Sequence, residues 1–437
     1  MPEITVPADQ VFPVLKQNIL VDGFHVVIDL EKSHGAVIVD ALEGKEYLDC
    51  YGYFATLPVG HNHPGMEDEG FRRSLLTAAL SNPANSDIYS RQFAGFVKTF
   101  RELAAPDEFR YLFFIAGGAL AVENAMKAAF DWKAQKNRAA GVEGGGDRIM
   151  HFRDAFHGRS GYTLSVTNTD PAKTRDFPRF DWPRVSSPWI DFPMDEEVVS
   201  AREGQACAEI EAAFEADPHG IAAILIEPIQ GEGGDHHFRP EFFARLREYA
   251  DRHEALLIFD EVQTGFGTTG TMWAYEQTGV TPDIIAFGKK TQVCGIMSTR
   301  RIDDVEKNVF HVSSRINSTW GGNLVDMVRC ARYLEIIRDE RLVENAARVG
   351  AAMKQGLESL ACDFDVVTNV RGRGLFLAMD LPDGAFRAGV RQGCWDRGLA
   401  ALPCGPRSLR FRPPLVFSED QAGRALATLR AVLGEMT

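Results

Sequence analysis

Hydrophobic positions in the middle of the chain come in short unbroken runs rather than in strict alternation. YLFFIA (111–116), IAAILIE (221–227), ALLIFD (255–260) and DIIAFG (283–288) each hold four to six apolar residues in succession, the pattern of strands buried on both faces. Between the runs, apolar residues recur at helical spacing. ALAVENAMKAAFDWKAQK (119–136) follows the first run, and PEFFARLREYADRH (240–253) joins the second to the third,. This strand, helix, strand order predicts an α/β fold with an open, mostly parallel central sheet flanked by helices, whose ligands gather at the carboxyl ends of the strands. From about residue 324 the texture changes to long amphipathic helices (LVENAARVGAAMKQGLESLA, EDQAGRALATLRAVLGEM) around short strands such as LFLAMDL, which predicts a smaller α+β domain. The expected division is an N-terminal segment (1–50) packing with the small domain, a large domain (51–323) and a C-terminal small domain (324–437).

Composition narrows the functional classes. The 437 residues are 45% hydrophobic, 10% aromatic and 25% charged, so the chain is globular and long enough for two sizeable cores. A formal net charge of -14 argues against a nucleic-acid partner, which calls for clustered Lys and Arg, and favours small-molecule chemistry. Seven cysteines, with no CxxC pair and an odd count, fit reduced thiols in a cytoplasmic protein. The stretch MPEITVPADQVFPVLKQ has no basic segment followed by an apolar one, and no window reaches a membrane span,. A soluble, unexported protein without membrane partners is expected.

Several familiar patterns fail on context. GFGTTG (265–270) fits GxGxxG but follows the polar EVQT rather than a strand, and the position some twenty residues on is Lys290 instead of an acid,. HNH (61–63) and DHHF (235–238) lack helical spacing with a third ligand, so no metal is expected,. GRSG (158–161) lacks the frame of a hydrolase nucleophile turn,.

The strand ends carry more. Asp260 closes ALLIFD, where an unpaired carboxylate is costly and should face a cation, and Glu227 closes IAAILIE in the same way,. DIIAFG delivers two lysines, Lys289 and Lys290. Taken alone, two lysines after a strand are most often solvated loop charges. After YLFFIA comes GGA and then a strong helix, so the backbone amides of Gly118 and Ala119 form an anion site suited to phosphate,. A phosphate cradle, a buried carboxylate and a strand-end lysine together meet the needs of pyridoxal 5'-phosphate: an anchor, an acid for the ring nitrogen and an amine for the aldehyde.

The order GGALAVENAMK, FHGRSG, EPIQGEGG, FDEVQTG, FGKK, STWGGN and VRGRG resembles the class III aminotransferases of fold type I. The resemblance extends back to GKEYLDCYGYFATLPVGHNHP (44–64) and forward to RFRPPL (410–415), nearly the whole chain. It implies a pyridoxal-phosphate-dependent transferase working as a homodimer. Within the family, FGKKTQVCG, GGALAVENA and FHGRSGYTLS are most similar to members that move the terminal amino group of L-lysine to 2-oxoglutarate; members acting on 4-aminobutyrate are the alternative.

The resemblance also assigns roles. The cofactor-bound lysine of the family precedes a glycine by four or five residues; Gly295 lies five after Lys290, which selects Lys290, and leaves Lys289 a helper near the phosphate or a surface charge. Asp260 would pair with the ring nitrogen, Gln263 with the phenolic oxygen, and Phe156 would stack on the ring. Gly118, Ala119 and, from the neighbouring subunit, Thr319 would hold the phosphate. Arg159 would grip the far carboxylate of either substrate, and Arg412 the near carboxylate of 2-oxoglutarate. Glu232 would pair with Arg412 while the amine donor is bound and swing away for the acceptor, and Asn317 would contact substrate. Two departures stand out: GGALA replaces the hydroxyl-bearing phosphate loop common in the family, and Cys294 stands where a glycine is usual.

Overall fold

The computed structural model describes residues 5–437. At its centre seven strands form one mixed sheet: β1 (Phe109–Ile115), β2 (Arg148–Phe152), β3 (Arg184–Val185), β4 (Ile221–Ile226), β5 (Leu256–Asp260), β6 (Ile284–Phe287) and β7 (Cys294–Thr299). Their spatial order is β1-β7-β6-β5-β4-β2-β3. The four apolar runs become β1, β4, β5 and β6. All six residues of β4 and all five of β5 are buried, and full burial of a Leu, Ile or Phe side chain contributes about 1.5–3 kcal/mol.

The pairings from β3 through β6 are parallel, as the strand-helix-strand order requires. Strand β7 runs antiparallel to both β1 and β6. Its sequence, CGIMST, is too short and too mixed to announce a strand, so the sequence reading misses it, along with β2 and the two-residue β3. The helix after β1 runs Gly118–Ala139 and buries Ala121, Val122, Ala125, Ala128, Ala129 and Trp132, the stripe expected of a helix lying on a sheet,. The crossover helix Pro240–Arg252 starts with proline at its first position, where the missing amide hydrogen costs nothing,.

C-terminal to this sheet, four antiparallel strands pair in the order Thr368–Arg373, Phe376–Asp380, Ser408–Phe411, Leu402–Cys404, backed by the helices Leu342–Asp363 and Glu419–Met436. A third sheet joins the two ends of the chain: Val37–Val39 pairs antiparallel with Glu46–Asp49, which pairs parallel with Leu399–Ala400. Among the described residues no helix is long and apolar enough to cross a membrane, and no cluster of side chains could hold a metal ion.

The GFGTTG stretch has a structural task. Leu375 donates its amide to the Thr268 carbonyl at 2.8 Å, and a Cβ on Gly374, whose φ is +54°, would fall 2.5 Å from the Thr269 backbone. Gly374 in turn lies against the long helix: a Cβ on Gly350 would stand 1.9 Å from the Gly374 carbonyl oxygen. The helix can approach this loop only because position 350 has no side chain.

Replacing a mid-helix glycine by alanine usually stabilises by about 1 kcal/mol. Gly423, in the helix Glu419–Met436, has open space around it, so Gly423→Ala should raise the unfolding temperature slightly. Gly350→Ala should lower it through an overpacking cost of about 1–3 kcal/mol. Thermal unfolding of the two variants checks the opposite signs.

Candidate active site

A cavity of about 350 Å³ opens at the carboxyl ends of the parallel strands. Gly118 and Ala119 form one end of it, Phe156 and Arg159 one wall, and Asp260, Gln263 and Lys289 the floor. At the first end, β1 stops at Ile115, Gly117 takes a φ of +107° that favours glycine, and the helix begins at Gly118,. Amides of a first helical turn have no partner within the helix and carry its positive end. Gly158, at φ +125°, lets the FHGRS loop press against this turn: a Cβ there would lie 2.5 Å from that of Ala119. The loop thus packs closely against a first turn that carries no side-chain hydroxyl.

Asp260 ends β5 and is 5% exposed. Its Oδ2 pairs with Nδ1 of the equally buried His157 at 2.8 Å, and its Oδ1 accepts from the Val262 amide at 3.0 Å. Each oxygen keeps room for a further donor, as a protonated ring nitrogen requires. Glu227 holds the neighbouring walls together: its carboxylate accepts from the amides of Phe156 (2.9 Å) and Gly231 (3.0 Å). Burial pushes its pKa up to about 7. Phe156 therefore owes its position to a backbone bond made by a residue at the end of β4.

Of the two lysines, Lys289 and not Lys290 lines the cavity. Alternation along β6 ends at Phe287, because Lys289–Thr291 form a tight turn in which Lys289 adopts φ +55°,. This turn brings Lys289 into the cavity. Burial lowers its pKa to about 8, with Arg410 and Arg412 adding to that effect and Glu232 and Asp260 opposing it. Lys290 is 2% exposed, lies outside the cavity lining, and its Nζ has no hydrogen-bond partner. Burial holds its pKa well below that of an ordinary lysine, and the nearby charges, Arg412 and Lys289, are both cationic.

Glu232 pairs with Arg410, not Arg412: Arg410 Nη2 donates to Glu232 Oε2 at 2.8 Å. Arg412 is engaged elsewhere, donating to Asp235 Oδ1 at 2.5 Å and to Gln263 Oε1 at 3.3 Å, with its guanidinium carbon 3.2 Å from the centroid of the Phe376 ring. Both arginines sit at or just past the strand Ser408–Phe411, two residues apart and so on one face, and only the positions of the facing carboxylates separate their roles.

Arg159 is exposed at the mouth of the cavity, its guanidinium carbon 6.0 Å from the Phe156 ring centroid. Asn317 and Thr319 are not brought to this cavity within the chain. Both are exposed; the Asn317 side chain accepts from the Ser318 amide, and the Thr319 carbonyl accepts from Ser86 Oγ at 3.1 Å.

Sequence reasoning passed over His157, Lys173 and Arg410. His157 and Arg410 stand inside motifs already singled out, FHGRSG and RFRPPL. Lys173 gives no signal in sequence, being one lysine in a polar loop; it reaches the site only through the fold.

An amine of lowered pKa, a buried carboxylate with free acceptor capacity, an aromatic wall and a helix N-terminus around one cavity fit pyridoxal phosphate. Comparison with known proteins agrees. The chain is 51% identical to an L-lysine-epsilon aminotransferase of Mycobacterium tuberculosis over 98% of its own length and 96% of the relative's. It is 48% identical to one of Streptomyces clavuligerus, over 98% and 95%. A solved lysine aminotransferase from M. tuberculosis superposes with a TM-score of 0.97 at 51% identity, covering 99% of this chain and all of that one. Residues 20–433 match the class-III aminotransferase family, and the chain belongs to it.

Proposed function

We propose that the chain is a pyridoxal-phosphate-dependent L-lysine 6-aminotransferase. It moves the terminal amino group of L-lysine to 2-oxoglutarate, giving 2-aminoadipate 6-semialdehyde, which cyclises to a piperideine carboxylate, and L-glutamate. The observation that carries this reading is the joint placement of Lys289, Asp260 and the Gly118 helix start around one cavity, with the Glu232–Arg410 pair next to Gln263 of its lining. The cofactor supplies an electron sink for the bond to the substrate's amine-bearing carbon.

The residues of the chain do the rest. The amides of Gly118 and Ala119 hold the phosphate. Asp260 keeps a proton on the ring nitrogen, and His157 Nδ1 keeps Asp260 oriented. Phe156 covers one ring face, and Gln263 is placed for the phenolic oxygen. Lys289 Nζ would be the amine that holds the cofactor's aldehyde, and in its neutral form it would be the base placed to take the proton from the substrate's amine-bearing carbon. Arg159 at the mouth takes the distant carboxylate by its planar fork,. Arg410 takes the carboxylate beside the reacting carbon of 2-oxoglutarate, and Glu232 neutralises Arg410 while lysine, which has no carboxylate there, is bound.

The working form is a homodimer in which each copy presents Thr319 and Asn317 to the other's cavity. Their exposure supports this reading, as does an exposed apolar set that includes Leu80 (79%), Tyr89 (77%) and Trp320 (49%),.

Borohydride reduction of the holoenzyme followed by fragment sequencing should place the cofactor on Lys289, and Lys289→Ala should lose at least ~10³-fold in turnover; label on Lys290 would overturn this assignment. Because the attacking amine must be neutral, the rate at which apoprotein captures pyridoxal phosphate should climb about tenfold per pH unit below 8 and level above it,. Stopped-flow absorbance from pH 6 to 9 measures this profile. Substrate identity is tested by adding L-lysine, 4-aminobutyrate or L-ornithine without oxo acid and following cofactor absorbance, with o-aminobenzaldehyde to trap a cyclic imine. Rapid bleaching by L-lysine with trapped product is expected; bleaching by 4-aminobutyrate alone would replace the donor and leave the fold and cofactor standing.

A further inference from the structure

Glu232 does not pair with Arg410 alone. Its Oε2 takes the Arg410 guanidinium at 2.8 Å, while its Oε1 takes the Lys173 ammonium at 2.7 Å. The two cations reach it from separate parts of the fold. Arg410 is on the C-terminal sheet strand Ser408–Phe411, whereas Lys173 ends the short turn Pro171–Lys173, which Asp170 caps. Lys173 is held in place independently of Glu232, donating to Thr169 Oγ1 at 3.2 Å and lying 5.1 Å from the centroid of the Phe156 ring. The group is largely shielded from water: side-chain exposure is 3% for Arg410, 13% for Lys173 and 28% for Glu232. Burial raises the Glu232 pKa, but Arg410 and Lys173 outweigh it and hold the carboxyl below its ordinary range.

One carboxylate thus serves two cations, and the trio carries one uncompensated positive charge at rest. A carboxylate arriving on Arg410 would balance it, provided Glu232 keeps a partner when it lets go. Lys173 is that partner. Rotation about the Oε1–Lys173 contact frees Arg410 without stranding a carboxylate in a shielded site.

We propose that Lys173 is the anchor that receives Glu232 when a dicarboxylic acceptor takes Arg410, so that Lys173 sets the ease of the acceptor half-reaction against that of the donor; this rests on the two-substrate reading above. Without Lys173 the Glu232 carboxylate would close on Arg410 with both oxygens, and every acceptor molecule would have to break the whole pair. Lys173 acts here as a positioning residue, through Glu232, and touches neither substrate.

Single-turnover measurements on the holoenzyme test it. The aldehyde form is mixed with L-lysine. The amine form, prepared by loading apoprotein with pyridoxamine phosphate so that it does not depend on donor identity, is mixed with 2-oxoglutarate. In Lys173→Met the apparent dissociation constant for 2-oxoglutarate should rise about tenfold, the size of one charge-assisted hydrogen bond, and several-fold more than that for L-lysine. Lys173→Arg should recover most of the loss. In a Glu232→Gln background, Lys173→Met should add nothing to the acceptor constant. Equal losses in both halves, an unchanged acceptor constant, or full additivity in the double variant would overturn the anchor. A shifted cofactor absorbance in Lys173→Met would also overturn it, since that would mean the lysine works by holding Phe156. Should Lys173→Met not accumulate as folded protein, Lys173→Gln is read by the same criteria. A wild-type enzyme that fails to bleach with L-lysine while converting 2-oxoglutarate from the amine form would sink the donor assignment and leave the anchor standing.

Discussion

Positive charge buried between the two main sheets is the constraint around which the site is arranged. Arg410 and Arg412 leave the C-terminal sheet, Lys289 and Lys290 leave the central one, and all four point into a region with little access to water. The counter-charges come largely from one short segment, Gly231–Asp235. Glu232 answers Arg410 and Lys173, and Asp235 answers Arg412 in a pair only 1% exposed on each side. Buried pairs of this kind add little net stability, but removing one partner leaves an uncompensated charge and costs about 3–5 kcal/mol. The segment is held as tightly as it is charged. Its amide at Gly231 donates to Glu227, its carbonyls at Gly234 and Asp235 accept from Arg371, and the Glu232 carbonyl accepts from the Gly405 amide. A Cβ on Gly233 would lie 2.1 Å from the Asp154 carbonyl oxygen. The glycines of GEGG are therefore the condition for two sheets to meet at the point where charge must be balanced.

The same segment links the cofactor wall to the substrate pair. Glu227 bonds Phe156 with one oxygen and Gly231 with the other, so the aromatic wall of the cavity and the segment that carries Glu232 hang from a single carboxyl group. His157, next to Phe156, supports Asp260 from the other side. These side chains share a framework of buried contacts, in which Glu232 is the most exposed of the charged trio.

How much of this was legible in the sequence depended on whether periodicity or tertiary approach decides each feature. Continuous apolar runs announced β1, β4, β5 and β6, and with them the parallel core and the strand-end position of Asp260. Strand β7 was invisible because its pairing, antiparallel on both sides, is enforced by its neighbours and not by its own composition. For the lysine the difference is local: spacing to Gly295 selected Lys290, whereas the chain turns after Phe287, φ of Lys289 is positive and Lys289 is the one that lines the cavity. For the arginine it is distant. Nothing within RFRPPL shows that Asp235 faces Arg412 while Glu232 faces Arg410, since both acids are almost 180 residues away in sequence. Lys173 depends on the same kind of meeting between remote segments, and Thr319 and Asn317 do not line the cavity of their own chain.

The small sheet that joins the chain's ends bears on how the molecule is made. Glu46–Asp49 pairs with Leu399–Ala400, and beside them Lys45 donates to the carbonyl of Asp396, 351 residues away. A growing polypeptide leaves the ribosome at roughly 5–20 residues per second. The early strand must therefore wait some tens of seconds, with its apolar face uncovered, until almost the whole chain has emerged. The central sheet can assemble during that interval; the sheet that closes the molecule cannot. A chain cut before residue 399 would leave the edge of Glu46–Asp49 unpaired on that side, open to pairing with another chain,.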